Sequence, residues 1–499
     1  MDKHWQILQP DPHLVQNLCT HLHCTSVTAS VLVNRNITTV DNALRFLNPS
    51  MQHLQSPCTL KDMDIAVDRI EKAIQRNEKI LIFGDYDVDG VTSTAVLFEF
   101  FQKVGADVSF YIPHRFREGY SLQVHHILDY AAVNKIALVI TADCGSGSYE
   151  AVQAAQKAGI DVIITDHHRV SDTLPEALAV INPQRPDCTA GFEYFAGVGV
   201  ALSLIICLRK HLRKTGYWQG RPEPNLRELC DLVALGTVAD SVSLTDDNRI
   251  LTRVGLEVIR AGKNRPGIME LLKICLTNPR TVNAEDIAFQ IAPRLNAAGR
   301  MDHAKQAAKL LMTEDADEAN RLALSLDSLN LDRKNTESNM LKEIFSYLDE
   351  HPGELNKQAL VLAGNNWHEG VLGIVASRLV DKFFRPVVVI STREETGMGK
   401  GSARSVAGFN LYRGLAVCSD QLENFGGHTM AAGLQIKNDN IPHFKEKFES
   451  AVRQETGDIA FLAKVLVDYE IQFNEITDRI IDEIETLKPF GAGNPEPLF

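Results

Sequence analysis

Four apolar residues, Ile80-Leu81-Ile82-Phe83, run straight into Gly84-Asp85-Tyr86-Asp87-Val88-Asp89-Gly90, which sets three carboxylates at alternate positions. The apolar run reads as a strand buried on both faces, as in a parallel sheet, with the two glycines bracketing a loop at its carboxyl end. Acids two residues apart repel one another, so gathering them is costly unless a cation sits between them. A divalent metal is the simplest answer, and an acidic surface turn is the bland alternative.

Two further strand ends have the same layout. Ile136-Ala137-Leu138-Val139-Ile140-Thr141 leads to Asp143, and Ile160-Asp161-Val162-Ile163-Ile164-Thr165 leads to Asp166-His167-His168. Helix-like stretches, residues 92–104 and 149–158, follow the first two strands. Strand, acid loop and helix in alternation describe an open doubly wound α/β sheet, whose ligands collect outside the carboxyl ends of the strands. A fourth acid, Asp240, ends the apolar, helical stretch Asp231–Ala239. Carboxylates and imidazole without matching cysteine pairs suit Mn²⁺ or Mg²⁺ better than structural zinc, and imidazole tilts the choice toward Mn²⁺. Five or more ligands suffice for two ions. A pair of metals about 3.5–4 Å apart activates water and clamps both oxygens of a phosphoryl transfer, so metal-assisted phosphoester hydrolysis is the reaction class the residues suggest.

At 499 residues the chain is long enough for about three domains, and 44% hydrophobic with 23% charged residues is ordinary globular composition. No apolar run approaches the ~20 residues that span a bilayer, and the polar start Met1-Asp2-Lys3-His4 lacks a signal-peptide shape, so a cytoplasmic protein is expected. Nine cysteines with no Cys-x-x-Cys read as reduced thiols, and Cys144 beside the acids reads as a small residue filling a tight loop. The net charge of −13 runs against unspecific attraction to phosphate. Residues 209–221 hold five Lys/Arg, two aromatics and no acid; they either guide a single strand or form a solvated helix C-terminus.

Asp85-Tyr86-Asp87-Val88-Asp89-Gly90, Asp143-Cys144-Gly145, Asp166-His167-His168 and Asp240 resemble the four motifs of the DHH phosphoesterases. Within that superfamily, nearly the whole sequence is similar to the single-strand-specific 5′→3′ DNA exonucleases. The resemblance implies two α/β lobes, of DHH and DHHA1 type, joined by a long helix, with the start of a C-terminal OB-fold. It makes Asp87, Asp89, Asp143, His167 and Asp240 the metal ligands, with Asp143 bridging, and adds His168 to the catalytic set. Asp85 then stands behind the ligands or touches substrate, and Asp166 either stabilises the fold or ligates.

The expected organisation is an N-terminal cap over residues 1–60, a catalytic lobe over 61–313, a connecting helix over 314–352, a substrate-binding lobe over 353–457 and an incomplete OB-fold over 458–499. The connector has no Gly or Pro from Glu314 to His351. Lys400-Gly401-Ser402-Ala403-Arg404-Ser405 and Phe425-Gly426-Gly427-His428, read as loops, resemble the substrate-binding signature, so Ser402, Arg404 and His428 are expected to grip substrate, down to a 5′-phosphate. Arg115, Arg294 and Arg300 are candidates for neighbouring phosphates, with surface ion pairs as the alternative. The implied activity is release of 5′-mononucleotides from the 5′ end of single-stranded DNA in repair and recombination. It needs Mn²⁺ or Mg²⁺ as two ions, in a monomer that works near a single-strand-binding protein and a helicase. The alternatives are a DHH enzyme for short oligonucleotides or small phosphate esters, and an inert scaffold, against which the intact acid set argues.

Overall fold

The computed structural model describes residues 4–262, 265–276, 278–457, 461 and 463–499. The expectations for residues 1–3 and for 458–460 and 462, at the head of the OB segment, lie outside the described residues. Two units are present, one comprising Ile7–Asn330 with Val467–Phe499, the other Leu331–Leu466 with Met1–Gln6. Their boundary falls inside the helix Ala316–Glu350 rather than at its ends. The apolar spacing explains this. Ala319, Ala323 and Leu326 enter the first unit's core, whereas Met340, Ile344 and Leu348 are buried in the half that belongs to the second.

Strand β1 (His4–Ile7) opens the described chain, and helices Pro12–Leu22, Ser26–Asn34, Val40–Leu47 and Met63–Gln75 follow. The sheet of the first unit contains β2 (Ile80–Gly84), β3 (Val108–Tyr111), β4 (Leu138–Ala142), β5 (Asp161–Thr165) and β6 (Ala179–Ile181), all parallel, in the order β3-β2-β4-β5-β6. β2 and β4 are buried at every position, as continuous apolar runs covered on both faces should be. The connections out of β2 and β4 diverge, which opens a crevice at the carboxyl ends of these two strands, the switch point of a doubly wound sheet.

The helix after β2 begins at Val88, four residues earlier than the sequence pattern suggests, and runs to Lys103. Asp87 is its N-cap, with a side chain that accepts from Gly90 N–H at 3.1 Å, and Asp89 lies in its first turn. Acids stabilise a helix start, so part of the expected loop is helix. Helix Gly197–Lys214 packs beside it, and Cys230–Ala239 ends at Asp240.

The second unit is built on β7 (Leu360–Asn365), β8 (Val387–Arg393), β9 (Met398–Arg404), β10 (Leu422–Gly427) and β11 (Ala431–Lys437), in the order β10-β11-β9-β8-β7. Only β7 and β8 run parallel. Ser402 and Arg404, expected on a loop, belong to the central strand β9; glycines at 399 and 401 hid it, because a strand rich in glycine carries no apolar alternation. Phe444, Phe448 and Val452 of helix Ile441–Thr456 fill the core against Ile390, Ala403 and Leu434.

The two ends of the first unit share one core. Leu487 packs with Leu18, Leu32 and Phe46, and Phe490 lies against them. The strand expected over residues 463–471 is the shorter β12 (Lys464–Val467), which pairs with β1. Contrary to the reading of all nine cysteines as reduced thiols, Cys58 and Cys207 form a disulfide, with Cα atoms 5.6 Å apart at a sequence separation of 149. Sequence spacing carries no signal for a pair so distant; only folding brings the turn Pro57–Thr59 against helix Gly197–Lys214.

Candidate metal centre

Backbone ladder bonds bring the motif acids together. Beyond each strand end, the first acid donates its own N–H to the next segment: Asp85 to Ala142 O at 3.1 Å, Asp143 to Thr165 O at 3.0 Å and Asp166 to Ile181 O at 3.1 Å. The acid turns are therefore extensions of the sheet, aligned side by side. Asp143 takes a left-handed φ of +63°, a strained setting for a non-glycine residue that places its carboxyl in the crevice.

Two helix N-termini close the site. Both oxygens of Asp89 accept backbone N–H groups at the start of helix Gly197–Lys214, Oδ2 from Gly197 at 2.6 Å and Oδ1 from Val198 at 2.9 Å. Gly197 approaches so closely that a Cβ there would lie 2.5 Å from Asp143 Oδ1. Across the crevice, Asn296 Oδ1 accepts from Val88 N–H at 3.2 Å.

His167 carries the clearest chemical statement. Its Nδ1 lies 3.0 Å from Phe195 O, and a carbonyl can only accept, so Nδ1 holds the proton and Nε2 presents a lone pair. That lone pair faces Asp143 Oδ1 at 3.1 Å, Asp89 Oδ2 at 3.7 Å and Asp240 Oδ2 at 3.7 Å. His167 Nε2, Asp143 Oδ1 and Asp85 Oδ1 are all buried without a hydrogen-bond partner. Acceptors pointed at acceptors in a buried crevice repel, and a cation resolves the conflict. Three overlapping ligand sets are within reach of one ion each: Asp89, His167 and Asp240; Asp143, His167 and His168; Asp85, Asp87 and Asp143. Asp143 and His167 are each common to two of these sets. Asp85, expected behind the ligands, is close enough to be one of them.

The electrostatics agree. Burial, followed by the charges of Asp89, Asp87, Asp85 and Asp240, pushes the Asp143 carboxyl well above its ordinary range. Burial and then Asp89 and Asp87 raise Asp240 to about 8, and burial with Asp87 raises Asp85. Asp166 behaves in the opposite way. Burial disfavours its charge, yet bonds from His168 Nδ1 at 2.8 Å and from the N–H groups of Ser146, His167 and His168 hold it well below the usual carboxylate range. His168 loses to burial but gains more from Asp166, and rises to about 9. Asp166 thus orients the His167-His168 turn and keeps His168 charged. Burial raises the Cys144 thiol well above its normal range, which leaves it unsuited to nucleophilic attack.

Around the rim, Arg115 lies 5.0 Å over the Tyr86 ring, and the charges of both Arg115 and Arg300 bear on Tyr86. Tyr120 OH lies 3.4 Å from His168 Nδ1. Arg294 Nε donates to Asp327 at 2.8 Å and its Nη1 to Gln290 O, an ion pair of the kind weighed as its alternative role. Three arginines and the tryptophan of the basic segment 209–221 have partners nearby. Arg209 and Arg213 pair with Glu223, Trp218 donates to Arg209 O, and Arg221 stacks on Tyr217. The acid that answers Arg209 and Arg213 lies two residues beyond the segment, outside the window that made it look unpaired.

In the second unit, Arg404 Nη1 donates to Ser402 Oγ at 3.2 Å, and Gly373, in the first turn of helix Leu372–Phe383, sits against both side chains. His428 follows β10, in the turn to β11 whose first residue, Ala431, pairs with Arg404. A helix N-terminus, a guanidinium and a hydroxyl at one sheet end are suited to an anion. The contributions of Gly197, Val198, Phe195, Asn296 and Gly373 are backbone or packing roles that residue type alone does not announce.

A doubly wound sheet with an acid–imidazole crevice at its switch point defines the class, that of the DHH phosphoesterases; the DHH family, N-terminal domain, matches residues 79–237, the DHHA1 domain 356–454 and the RecJ OB domain 467–499. The single-stranded-DNA-specific exonuclease RecJ of Bacillus subtilis is 41% identical over 99% of this chain and 61% of its own length. That of Salmonella typhimurium is 39% identical over 88% of this chain and 78% of its own. The chain therefore belongs to the RecJ family, and it spans less than two thirds of the length of the Bacillus relative. A crystal structure of RecJ from Thermus thermophilus in complex with Mn²⁺ superposes with a TM-score of 0.85 at 30% identity, over 99% of this chain and 69% of that one; the same protein has been solved with Mg²⁺. No helix among the described residues is long and apolar enough to cross a membrane.

Proposed function

We propose that this chain hydrolyses phosphodiester bonds of single-stranded DNA from the 5′ end with two divalent ions, Mn²⁺ or Mg²⁺, and releases 5′-mononucleotides. The observation that carries the reading is the His167 Nε2 lone pair facing three carboxylates in a buried crevice. In this reading Asp87, Asp89, Asp143, His167 and Asp240 would hold the ions, with Asp143 shared between them, and Asp85 would join Asp87 and Asp143. Bound there, such a pair activates water and neutralises charge on the attacking and leaving oxygens.

The chain's own groups do the rest. Asp89 is fixed by two backbone N–H groups, so its carboxylate is oriented before any ion arrives. His168, held protonated by Asp166, offers an N–H donor to a phosphate oxygen at the rim, where Arg115 and Arg300 add positive charge. Ser402, Arg404 and His428 bind a phosphate of the strand in the DHHA1-type unit. We assign residues 61–313 to catalysis, 353–457 to substrate binding and 458–499 to the beginning of the OB-fold. The same resemblance supports a cytoplasmic monomer that acts on strands exposed by a helicase and coated by a single-strand-binding protein, in repair and recombination.

The test uses Mn²⁺ and single-stranded DNA labelled at its 5′ end. Labelled mononucleotide should appear first, and blunt duplex should stay intact. Asp143→Ala should lower turnover by at least about a thousand-fold, the scale of losing a central charge-stabilising group. Release from the 3′ end, or cleavage restricted to dinucleotides, would overturn the proposal.

A further inference from the structure

Asp240, whose own N–H donates to Gly236 O at 2.9 Å, has a carboxylate placed differently from those of Asp87 and Asp89. Asp87 and Asp89 are fixed by hydrogen bonds to their carboxylates, and Asp85 and Asp143 by ladder bonds of their own backbone. Among the described residues no hydrogen bond reaches the Asp240 carboxylate, so its position depends on the backbone that carries it. On one side that backbone is the end of helix Cys230–Ala239. On the other side the chain turns through Ser241 at a left-handed φ of +59° and meets a segment about 250 residues away.

That segment is the turn Gly491–Asn494. Leu244 N–H donates to Ala492 O at 2.7 Å. Gly493, at φ +70°, lies so close that any Cβ would overlap Ser243 Oγ, and a Cβ on Gly491 would come 2.6 Å from Leu244. The turn is itself anchored. Asn494 Nδ2 donates to Leu487 O at 2.8 Å and Pro489 O at 2.7 Å. The fully buried Arg249 donates to Lys488 O at 2.8 Å and Thr486 O at 3.2 Å, and to Phe46 O at 2.8 Å. Asn248 completes the grip, donating to Ser243 O at 2.9 Å.

We propose that the Gly491–Asn494 turn is a positioning element of the metal centre. It clamps Ser243 and Leu244 and so fixes where the chain leaves Asp240, which holds that carboxylate beside His167 and Asp89. The inference rests on the reading of Asp240 as a metal ligand. It gives the residues nearest the chain's end a role in ion binding, separate from any role in strand binding.

Direct titration of the metal-free protein with Mn²⁺, with free ion read by electron paramagnetic resonance, tests this without reference to activity. Gly493→Ala should weaken Mn²⁺ binding by about tenfold, the lower end of what residues behind a ligand contribute. Ser243→Ala should bind as the parent does, and Gly493→Ala/Ser243→Ala should recover part of the loss, because the overlapping hydroxyl is gone while the left-handed φ at position 493 still disfavours a side chain. Asn494→Ala, which frees two carbonyls without adding an atom, should weaken binding in the same sense and serves if Gly493→Ala does not fold. Ile480→Ala, which loosens the neighbouring helix Asp478–Thr486, should lower Tm and leave Mn²⁺ binding unchanged. Asp240→Asn separates the two levels: unaltered Mn²⁺ binding there would overturn Asp240 as a ligand. Weakened binding in Asp240→Asn with parental binding in both Gly493→Ala and Asn494→Ala would overturn the positioning role alone.

Discussion

Asp143 concentrates the chemistry of the centre in one residue, with a left-handed backbone, a buried oxygen lacking a donor and four carboxylates acting on it. Without metal, the crowd keeps protons: Asp143 is raised well above its ordinary range and Asp240 to about 8. A carboxyl raised in the folded state binds more protons there than in the unfolded chain, so it stabilises least where it must ionise. Tm of the metal-free protein should therefore fall as pH rises from about 4 toward 8, the window set by the ordinary carboxyl value and by Asp240. Mn²⁺ binding should release protons, seen as a dependence of calorimetric heat on buffer ionisation enthalpy, and should tighten from pH 6 to pH 8. Heat independent of buffer would contradict the protonated acids. The motif acids were legible as a set because their spacing is improbable without a cation. The Arg294–Asp327 ion pair was not, because nothing in the sequence sets those two side chains together until the long helix is in place.

At the level of elements, the start of helix Gly197–Lys214 acts as a ligand-orienting device. Its first two N–H groups hold Asp89, the carbonyl just ahead of it sets the His167 tautomer, and Gly197 leaves room for Asp143. Gly197→Ala should keep the far-ultraviolet spectrum of the parent and lose at least about tenfold in Mn²⁺ affinity, since its Cβ would displace the Asp143 carboxylate. Parental affinity would show that the crevice relaxes around a methyl group. Strand–helix alternation was readable in the parallel sheet, where buried strands are continuous apolar runs. It failed at β9, where glycines replace the pattern while Ser402 and Arg404 carry the chemistry.

Over the whole molecule, long-range ties decide the organisation. The N-terminal helices and the last residues share one core around Leu18, Leu32, Phe46 and Leu487, and the Cys58–Cys207 disulfide closes a further loop of the first unit. Cys207→Ser should lower the unfolding free energy under non-reducing conditions by about 2–5 kcal/mol, as loss of a native cross-link does. Urea titrations with and without a thiol reductant would measure it, and identical curves for parent and variant in the absence of reductant would exclude the cross-link in solution. The net charge of −13 is partly the metal site itself, whose acids the ions neutralise.

Local pattern in the chain determined the parallel sheet, the acids at its strand ends and hence a hard-cation site, because strand burial and carboxylate repulsion act over a few residues. The tertiary structure decided which atoms face which. It spent Asp166 on His168 and Arg294 on Asp327, drew Asp85 into reach of an ion, and brought the Gly491–Asn494 turn against the chain beyond Asp240. Those choices are made by backbone N–H groups, carbonyls and missing Cβ atoms contributed from far along the chain. No residue type in a sequence window encodes them.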